Sequence, residues 1–171
     1  GKVVPRGNLG ELCVRGYSVM LGYWEDTDKT QEVIDVAKWM HTGDIAEMDE
    51  EGFVKIKGRI KDMVIRGGEN LFPKEIEDFL YTHPDVSDVQ VIGLPDARYG
   101  EELCACIILH DHHQINEEAI RKYCAEHISH NKVPRYVRFF TEFPMTASGK
   151  AQKFKLQELM RQELNLLEVI A

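Results

Sequence analysis

Three polar clusters that contain glycine carry the side chains best suited to chemistry. They are His41-Thr42-Gly43-Asp44, the stretch 58–70, and Pro144-Met145-Thr146-Ala147-Ser148-Gly149-Lys150. In the first cluster, the Asp44 carboxylate can accept two hydrogen bonds at once, which suits the neighbouring hydroxyls of a ribose. The same residues also fit a simple turn before a strand, in which Asp44 accepts hydrogen bonds from the backbone. The residues alone leave both interpretations open.

The second cluster combines positive charge with a pair of glycines. A period of two predicts that one face of a strand carries Lys55, Lys57, Arg59 and Lys61. The Gly67-Gly68 pair follows, and without Cβ atoms its backbone N–H groups can approach a phosphate or a thin pantetheine arm. A solvated sheet face beside an ordinary loop explains the same residues, and composition does not choose between them.

The third cluster ends in Ser148-Gly149-Lys150, just before the last predicted helix. A lysine on a flexible stem can meet carboxylate or phosphate oxygens whose negative charge grows during a reaction. A plain surface lysine at a polar helix entry is the alternative, since most lysines are exposed.

Other chemistries have little support in the sequence. The seven histidines occur without a Gly-x-Ser-x-Gly nucleophile pattern, and no Walker loop is present. Cys104 and Cys106 alternate along an apolar run, so they face one side of a strand, and His110, His112 and His113 follow. Structural zinc pairs usually lie at a turn, about two to four residues apart. We therefore expect free thiols and no protein-bound metal.

Composition excludes several classes of protein. The chain has 171 residues with 43% hydrophobic residues and a net charge of −8. This acidic balance argues against nucleic acid or an anionic membrane surface as the main partner. No apolar run reaches the roughly 18 residues of a membrane span, and the N-terminus lacks an apolar signal core. We expect a soluble protein, cytoplasmic by default, with the mitochondrial matrix as the alternative.

Up to residue 57 the sequence pattern is β-rich. Residues 10–16 alternate apolar and polar between glycines, and 27–36 fit a short helix. Residues 45–48 and 53–57 flank Asp49-Glu50-Glu51-Gly52, whose turn residues predict a hairpin.

After Gly58 the pattern becomes mixed. Strands are predicted at 63–65, 86–94, 103–109 and 136–141, and helices begin at Pro73 and after an N-cap at Asn116. A closing helix carries Leu156, Leu159, Met160, Glu163, Leu164 and Leu167 at helical spacing. We therefore predict an α+β fold, with a β-rich piece over 1–58 and a small sheet packed with helices over 59–171.

Seven short motifs stand in order along the chain. They are Gly10-Glu11-Leu12, Gly22-Tyr23-Trp24, Thr42-Gly43-Asp44, Gly58-Arg59-x-Lys61-Asp62, Gly67-Gly68-Glu69-Asn70, Pro73-x-Glu75-Ile76-Glu77 and Ser148-Gly149-Lys150. Together they resemble the C-terminal third of the adenylate-forming superfamily, which includes acyl-CoA synthetases, luciferases and peptide-synthetase adenylation domains. The resemblance covers essentially the whole chain. The stretches 66–70 and 148–154 look most like medium-chain fatty acyl-CoA synthetases.

The resemblance implies a role for each cluster. Asp44, assisted by Arg59, would bind the ribose hydroxyls of ATP and of an acyl-adenylate. Lys150 would be the catalytic lysine that contacts carboxylate and α-phosphate oxygens during adenylation. Lys61 would be the hinge between a large N-terminal region and a mobile lid, and the Gly67-Gly68-Glu69 loop would line the pantetheine tunnel. Fatty acid, ATP with Mg²⁺, and coenzyme A are then implied as substrates.

The implied function is that of an ATP-dependent, AMP-forming fatty acyl-CoA synthetase. The family's phosphate loop and acyl pocket are absent from this sequence. The chain is therefore expected to be a C-terminal fragment that acts with the N-terminal region of the same protein and is inactive alone. An adenylation domain that loads a carrier-protein thiol and a non-catalytic α+β binding module are the alternatives.

Overall fold

The structure, a computed structural model, describes residues 1–111 and 114–166. It divides into two compact units, of which the first is Gly1–Lys61 and the second begins at Asp62. Both units mix helices with sheets that are mainly antiparallel, so the predicted α+β class is confirmed. No helix in the described part of the chain is long and apolar enough to cross a membrane.

The first unit is built on three antiparallel strands. Its elements are β1 (Leu9–Val14), α1 (Thr27–Val33), β2 (Met40–Met48) and β3 (Val54–Arg59), with the strands in the order β1-β2-β3. The predicted hairpin is confirmed, since β2 and β3 pair on either side of the five residues 49–53. The helix predicted over 27–36 is shorter, because the backbone becomes extended at Ile34.

The charged segment of β3 differs from its prediction. β3 ends at Arg59, so Lys61 lies instead in a short 3-10 turn. The pairing of β3 with β2 also skips Lys57, which forms a bulge and breaks the period of two. The prediction that one strand face carries all four side chains is therefore wrong. The four are Lys55, Lys57, Arg59 and Lys61.

The second unit places helices on both faces of a five-stranded sheet. Its elements are β4 (Val64–Arg66), β5 (Glu69–Leu71), α2 (Pro73–Leu80), β6 (Val86–Asp96), β7 (Gly100–Leu109), α3 (Glu117–His127), β8 (Tyr136–Phe139) and α4 (Lys153–Glu163). The strand order is β5-β4-β7-β6, and β8 runs parallel to β7. β6 and β7 pair antiparallel over their whole length.

Two apolar clusters lie on opposite faces of this sheet, because side chains alternate along β7. Leu103, Ala105 and Ile107 belong to the cluster that contains residues of α2 and α3. Cys104 and Cys106 belong to the cluster that contains residues of α4. The two faces therefore anchor different helices.

Some predicted details of the second unit change. Residues 69–71 form β5 and not part of a loop. Asn116 is the N-cap of α3, as predicted, since its side chain accepts the N–H of Ala119 at 2.8 Å. On α4, Leu159 is 46% exposed and does not join the core, whereas Leu156 is fully buried. The predicted core residue Leu167 lies outside the described residues.

Candidate functional site

Asp44 lies in a bulge of β2 and not in a turn before a strand. Residues 42–44 of β2 stand opposite the single residue Leu12 of β1. Gly43 adopts a φ of +73°, a left-handed conformation that favours glycine. The Thr42 hydroxyl donates to the Leu12 carbonyl at 2.7 Å and accepts the Asp44 N–H at 3.1 Å. These bonds fix the backbone that carries the Asp44 carboxylate.

Asp44 and Arg59 face each other across β2 and β3. The Arg59 Nε donates to Oδ1 of Asp44 at 3.2 Å, and the two side chains are 53% and 26% exposed, respectively. Within 1–111 and 114–166 this carboxylate has no other side-chain partner. An ion pair this exposed contributes only about 0–1 kcal/mol to stability. The pair can therefore share a ligand at little cost.

His41 connects the bulge to β1 through Glu11. Its Nδ1 lies 2.7 Å from Oε2 of Glu11 and 3.6 Å from Sγ of Cys13. The other Glu11 oxygen accepts the Gly43 N–H at 3.1 Å. The hydrogen bond that His41 donates to Glu11 raises the pKa of His41 despite the opposing effect of burial. Burial, and then the charge of Glu11, raise the pKa of the Cys13 thiol.

Sequence reasoning missed this cluster and named Glu11 only as part of a motif. The sequence does contain one indication of the cluster: Glu11 and Cys13 are two residues apart, which puts both side chains on one face of a strand. Their pairing with His41 depends on the register between β1 and β2.

The Gly67-Gly68 pair forms the two-residue turn of the β4–β5 hairpin, between Arg66 and Glu69. The two glycines have φ values of +60° and +85°, and positive values at both positions are typical of a type I′ turn. The Gly67 N–H donates to the Tyr99 carbonyl at 2.8 Å. A Cβ at Gly67 would lie 3.3 Å from the Tyr99 ring, whereas one at Gly68 would meet nothing within 4 Å.

Arg66 anchors this turn to the sheet through a buried ion pair. Its Nε and Nη2 donate to the two carboxylate oxygens of Glu102 at 2.8 and 3.0 Å, and Glu102 is 1% exposed. The guanidinium lies 5.0 Å from the centre of the Tyr99 ring and donates to the Asn131 carbonyl at 3.2 Å. The hydrogen bonds that Arg66 donates to Glu102 raise the pKa of Arg66. Glu69 accepts a hydrogen bond from the side chain of Asn131.

Lys150 lies in an exposed turn closed by a β-bridge between Met145 and Ala151. Hydrogen bonds within the turn and from the next residue along the chain hold it. The Thr146 N–H donates to the Lys150 carbonyl, and the Gln152 side chain donates to the Met145 carbonyl, both at 2.8 Å. The Lys150 N–H in turn donates to the Thr146 hydroxyl at 3.0 Å. In the described part of the chain, the Lys150 ammonium has neither an ion pair nor a hydrogen bond. Its stem is therefore free to reach a ligand.

Lys153 anchors the start of α4, three residues after Lys150. Its Nζ lies 2.6 Å from Oε1 of Glu77 and 3.1 Å from the Val91 carbonyl. The same Glu77 oxygen accepts the Val91 N–H at 2.8 Å. The lysine turn thus leads into a helix whose first residue is fixed to α2 and β6. Sequence reasoning named Glu77 in a motif but missed Lys153 as its partner.

The cysteines follow their predicted state. Cys104 and Cys106 face the same side of β7, as predicted, and both are buried in an apolar cluster. All four cysteines are free thiols. His112 and His113, two of the three histidines weighed from the sequence as zinc ligands beside these cysteines, lie outside the described residues. The expected absence of a bound metal stays a prediction.

Comparison with known proteins gives one family. Residues 75–150 match the family described as AMP-binding enzyme C-terminal domain. The chain is 59% identical over 166 residues to the medium-chain acyl-CoA ligase ACSF2, mitochondrial, of Bos taurus, covering 97% of this chain and 27% of the relative. It is 53% identical over 163 residues to the putative acyl-CoA synthetase YngI of Bacillus subtilis, covering 95% of this chain and 30% of the relative.

Solved structures agree with this family. ATP-bound MatB from Rhodopseudomonas palustris has a TM-score of 0.88 and 36% identity, covering 95% of this chain and 32% of that chain. The anthranilate CoA ligase AuaEII in complex with anthranoyl-AMP has a TM-score of 0.86 and 35% identity, covering 96% of this chain and 32% of that chain. The chain therefore spans about a third or less of the length of these proteins.

Proposed function

We propose that the chain, which matches the AMP-binding enzyme C-terminal domain over residues 75–150, acts as part of an ATP-dependent, AMP-forming fatty acyl-CoA synthetase. In the first half-reaction, a carboxylate oxygen attacks the α-phosphorus of ATP and pyrophosphate leaves. In the second, the sulfur of coenzyme A attacks the acyl carbon and AMP leaves. The observation that carries the proposal is 59% identity over 97% of the chain to a relative named as a medium-chain acyl-CoA ligase.

Asp44 and Arg59 are proposed to hold the ribose of ATP and of the acyl-adenylate. The bulge fixes the Asp44 backbone, and Arg59 occupies only one carboxylate oxygen. The second oxygen can therefore accept a ribose hydroxyl while Arg59 keeps the carboxylate oriented. The Arg59 side chain, at 53% exposure, has room to contact the nucleotide itself.

Lys150 is proposed to be the catalytic lysine of the first half-reaction. Attack on the α-phosphorus builds negative charge on the nonbridging oxygens, which a nearby ammonium stabilises. The absence of an internal partner for Lys150 among the described residues supports this role, since no existing bond must break first. ATP is proposed to enter as its Mg²⁺ complex.

The second half-reaction is proposed to use the turn around Gly67, Gly68 and Glu69 as a wall of the pantetheine tunnel. Because both glycines lack side chains, a thin arm can pass close to the backbone. Lys61, the last residue of the first unit, is proposed as the hinge that exchanges the two loops at the site. Residues 1–58 are then the end of the N-terminal region, and 59–171 are the lid.

The exposed apolar side chains of the first unit support its place in a longer protein. Tyr17, Leu21 and Trp24 are each at least 90% exposed, and Ala46 is the unit's one buried hydrophobic residue in the described chain. Exposed apolar side chains that form a large patch mark a surface that packs against another part of a protein. We propose that they pack on the N-terminal region of the same protein.

The cytoplasmic location expected from the sequence stays a prediction. The mitochondrial matrix is the alternative, because the Bos taurus relative is named a mitochondrial protein. Imaging of the tagged complete protein separates the two compartments.

The proposed function is tested with the complete protein and medium-chain fatty acids. We expect pyrophosphate release that depends on fatty acid, and acyl-CoA formation when coenzyme A is added. The Asp44→Asn variant should raise the KM for ATP, and the 171-residue chain alone should release no AMP. Acyl transfer to a carrier-protein thiol but not to coenzyme A would favour the carrier alternative. The absence of any fatty-acid-dependent pyrophosphate release would refute the proposal.

A further inference from the structure

Three side chains with different metal-binding atoms meet where β1 pairs with β2. Cys13 and His41 are direct partners in the register of the two strands, and Glu11 lies two residues before Cys13 on β1. One ligand atom from each of the three lies within 4.8 Å of the other two. Thiolate, imidazole and carboxylate together are the donors that Zn²⁺ prefers in proteins. We propose that Glu11, Cys13 and His41 bind one divalent cation of the zinc class.

The spacing of these atoms suits a tetrahedral ion. Zinc bonds of about 2.1 Å to nitrogen or oxygen and about 2.3 Å to sulfur place tetrahedral ligands roughly 3.4 to 3.6 Å apart. Sγ of Cys13 lies 3.6 Å from Nδ1 of His41, so this pair needs little movement. Oε2 of Glu11 lies 2.7 Å from the same Nδ1 and must move outward by less than about 1 Å. The Glu11 side chain is 26% exposed, so it has room for this shift.

Two groups lie directly behind ligands of the cluster. Oδ2 of Asp35 lies 3.9 Å from Nε2 of His41, the ring nitrogen that faces away from Glu11 and Cys13. A carboxylate behind the second ring nitrogen is the usual partner of a metal-bound histidine. Oε1 of Glu11, the oxygen that would not bind the ion, accepts the Gly43 N–H at 3.1 Å. The arrangement therefore includes the ligands, a hydrogen bond that orients Glu11, and a carboxylate placed close to the second ring nitrogen of His41.

The cluster also has the charge and the access that a cation requires. On binding, the Cys13 thiol would release its proton to solvent, and the resulting thiolate and the Glu11 carboxylate bring two negative charges that a divalent ion neutralises. His41 is 37% exposed, so solvent can supply a fourth ligand, as in zinc sites with three protein ligands. This inference departs from the sequence expectation of no bound metal, because the register that joins Cys13 to His41 is not visible in the sequence.

Cobalt spectroscopy tests the site, because Co²⁺ replaces zinc and reports thiolate coordination directly. Titrating the 171-residue chain with Co²⁺ should give a thiolate-to-metal charge-transfer band that saturates at one ion per chain, and Zn²⁺ should abolish it. Cys13→Ser should remove the band, whereas the control Cys124→Ala, which deletes a buried thiol of α3, should keep it. Circular dichroism confirms that each variant is folded.

The other residues are tested by the affinity for Zn²⁺ in calorimetry. His41→Gln and Glu11→Gln should each weaken binding by more than Asp35→Asn, for which about a tenfold loss is expected. Asp35→Asn keeps the oxygen that accepts the Trp39 N–H, so the local turn is retained. Absence of the band in the wild-type chain, or its persistence in Cys13→Ser, would overturn the proposal.

Hydrogen exchange adds a readout that does not depend on the cobalt band. Bound Zn²⁺ should increase amide protection in 9–14 and 40–48, because the ion ties β1 to β2. It should leave β6 and β7 of the second unit unchanged. Equal changes in both units, or none in β1 and β2, would contradict a site at these three residues.

Discussion

The two glycine turns of the second unit, 66–69 and 145–151, are held in opposite ways. The first is fixed from outside, because Arg66 pairs with buried Glu102 and the Gly67 N–H donates to Tyr99. The second is fixed by hydrogen bonds among its own residues and from the adjacent Gln152, and Lys150 extends from it without a partner in the described chain.

This difference matches the roles proposed for the two turns. A tunnel wall must keep its backbone in one place, since a displacement of about 1 Å would close a narrow passage or leave its ligand loosely held. A lysine that serves only one half-reaction needs a free stem, and the fixed start of α4 limits how far that stem can move. Changes in the first turn should therefore alter mainly the free energy of unfolding, and changes in the second should alter mainly the rate of acyl-adenylate formation.

Breaking the outer support of the first turn should give the largest effect. Arg66→Met leaves the Glu102 carboxylate buried without its main partner, which we expect to lower the free energy of unfolding by about 3 kcal/mol or more. Urea denaturation measures the change, with Lys155→Met as the control at an exposed lysine. A loss below about 1 kcal/mol would mean that this pair does not hold the turn.

Lys150→Ala should separate rate from stability. We expect acyl-adenylate formation in the complete protein to fall about 100-fold or more, which corresponds to about 3 kcal/mol, because one oriented charge is lost. The free energy of unfolding should change by less than about 0.5 kcal/mol. Pyrophosphate release measures the first step, and thioester formation from pre-formed acyl-adenylate measures the second. Lys155→Ala is the control, and equal losses in both steps would contradict the assignment.

Lys61→Pro should affect the exchange of the two turns. A fixed φ at residue 61 obstructs rotation about the hinge but need not disturb the adenylation state. We expect several-fold slower thioester formation and nearly unchanged pyrophosphate release. Comparable kcat values of wild type and variant in the thioester step would count against a hinge at this residue.

Replacing one glycine of each turn with alanine should give a smaller difference in stability between the two turns. Gly67 and Gly149 both have positive φ, so alanine strains the backbone by about 1 kcal/mol at either position. Only at Gly67 would the new Cβ also approach a neighbour, the Tyr99 ring at 3.3 Å. Thermal unfolding should therefore show a larger loss for Gly67→Ala than for Gly149→Ala. The reverse order would show that the first turn is not the more tightly packed one.

The smallest expected effect is the contribution of the Asp96 charge to stability, which should be lost in acid. Burial by itself would raise the pKa of Asp96, but the N–H groups of Tyr99 and Arg98 and the charge of Arg135 outweigh it and lower that pKa. A lowered pKa in the folded state adds stability above the pKa of the unfolded chain, and this stability is lost as the pH falls through the folded value.

Unfolding of the wild type and of Asp96→Asn should therefore converge in stability below about pH 4. At neutral pH the variant should be the less stable of the two. A constant difference across this pH range would show that Asp96 does not support the first turn through its charge.

Much of the fold was predictable because its signals are local. The hairpin around Asp49–Gly52, the helix start at Pro73 and the N-cap at Asn116 each depend on residues within about one turn of one another. The motifs also identified the candidate residues Asp44, Lys150 and the Gly67-Gly68 pair by type and order.

Register and partners were not predictable in the same way. The bulge at Lys57 shifts the pairing of β3 by one residue. A period of two, which holds for a regular strand, therefore predicted the wrong face for the residues beyond the bulge. The bulge at 42–44 likewise makes part of a strand from residues that the sequence also allowed as a turn. In both cases the extra residue is recognised only when the neighbouring strand is in place.

The sequence by itself therefore determined the fold class, the local turns and caps, and which residue types are available for nucleotide and thioester chemistry. Only the tertiary structure decided their partners, namely Arg66 with Glu102, Lys153 with Glu77, and His41 with Glu11 and Cys13. These partners lie far apart along the chain, and their distances depend on strand register and helix packing. Local preferences act over a few residues, so they cannot specify contacts that form only after the strands and helices have packed.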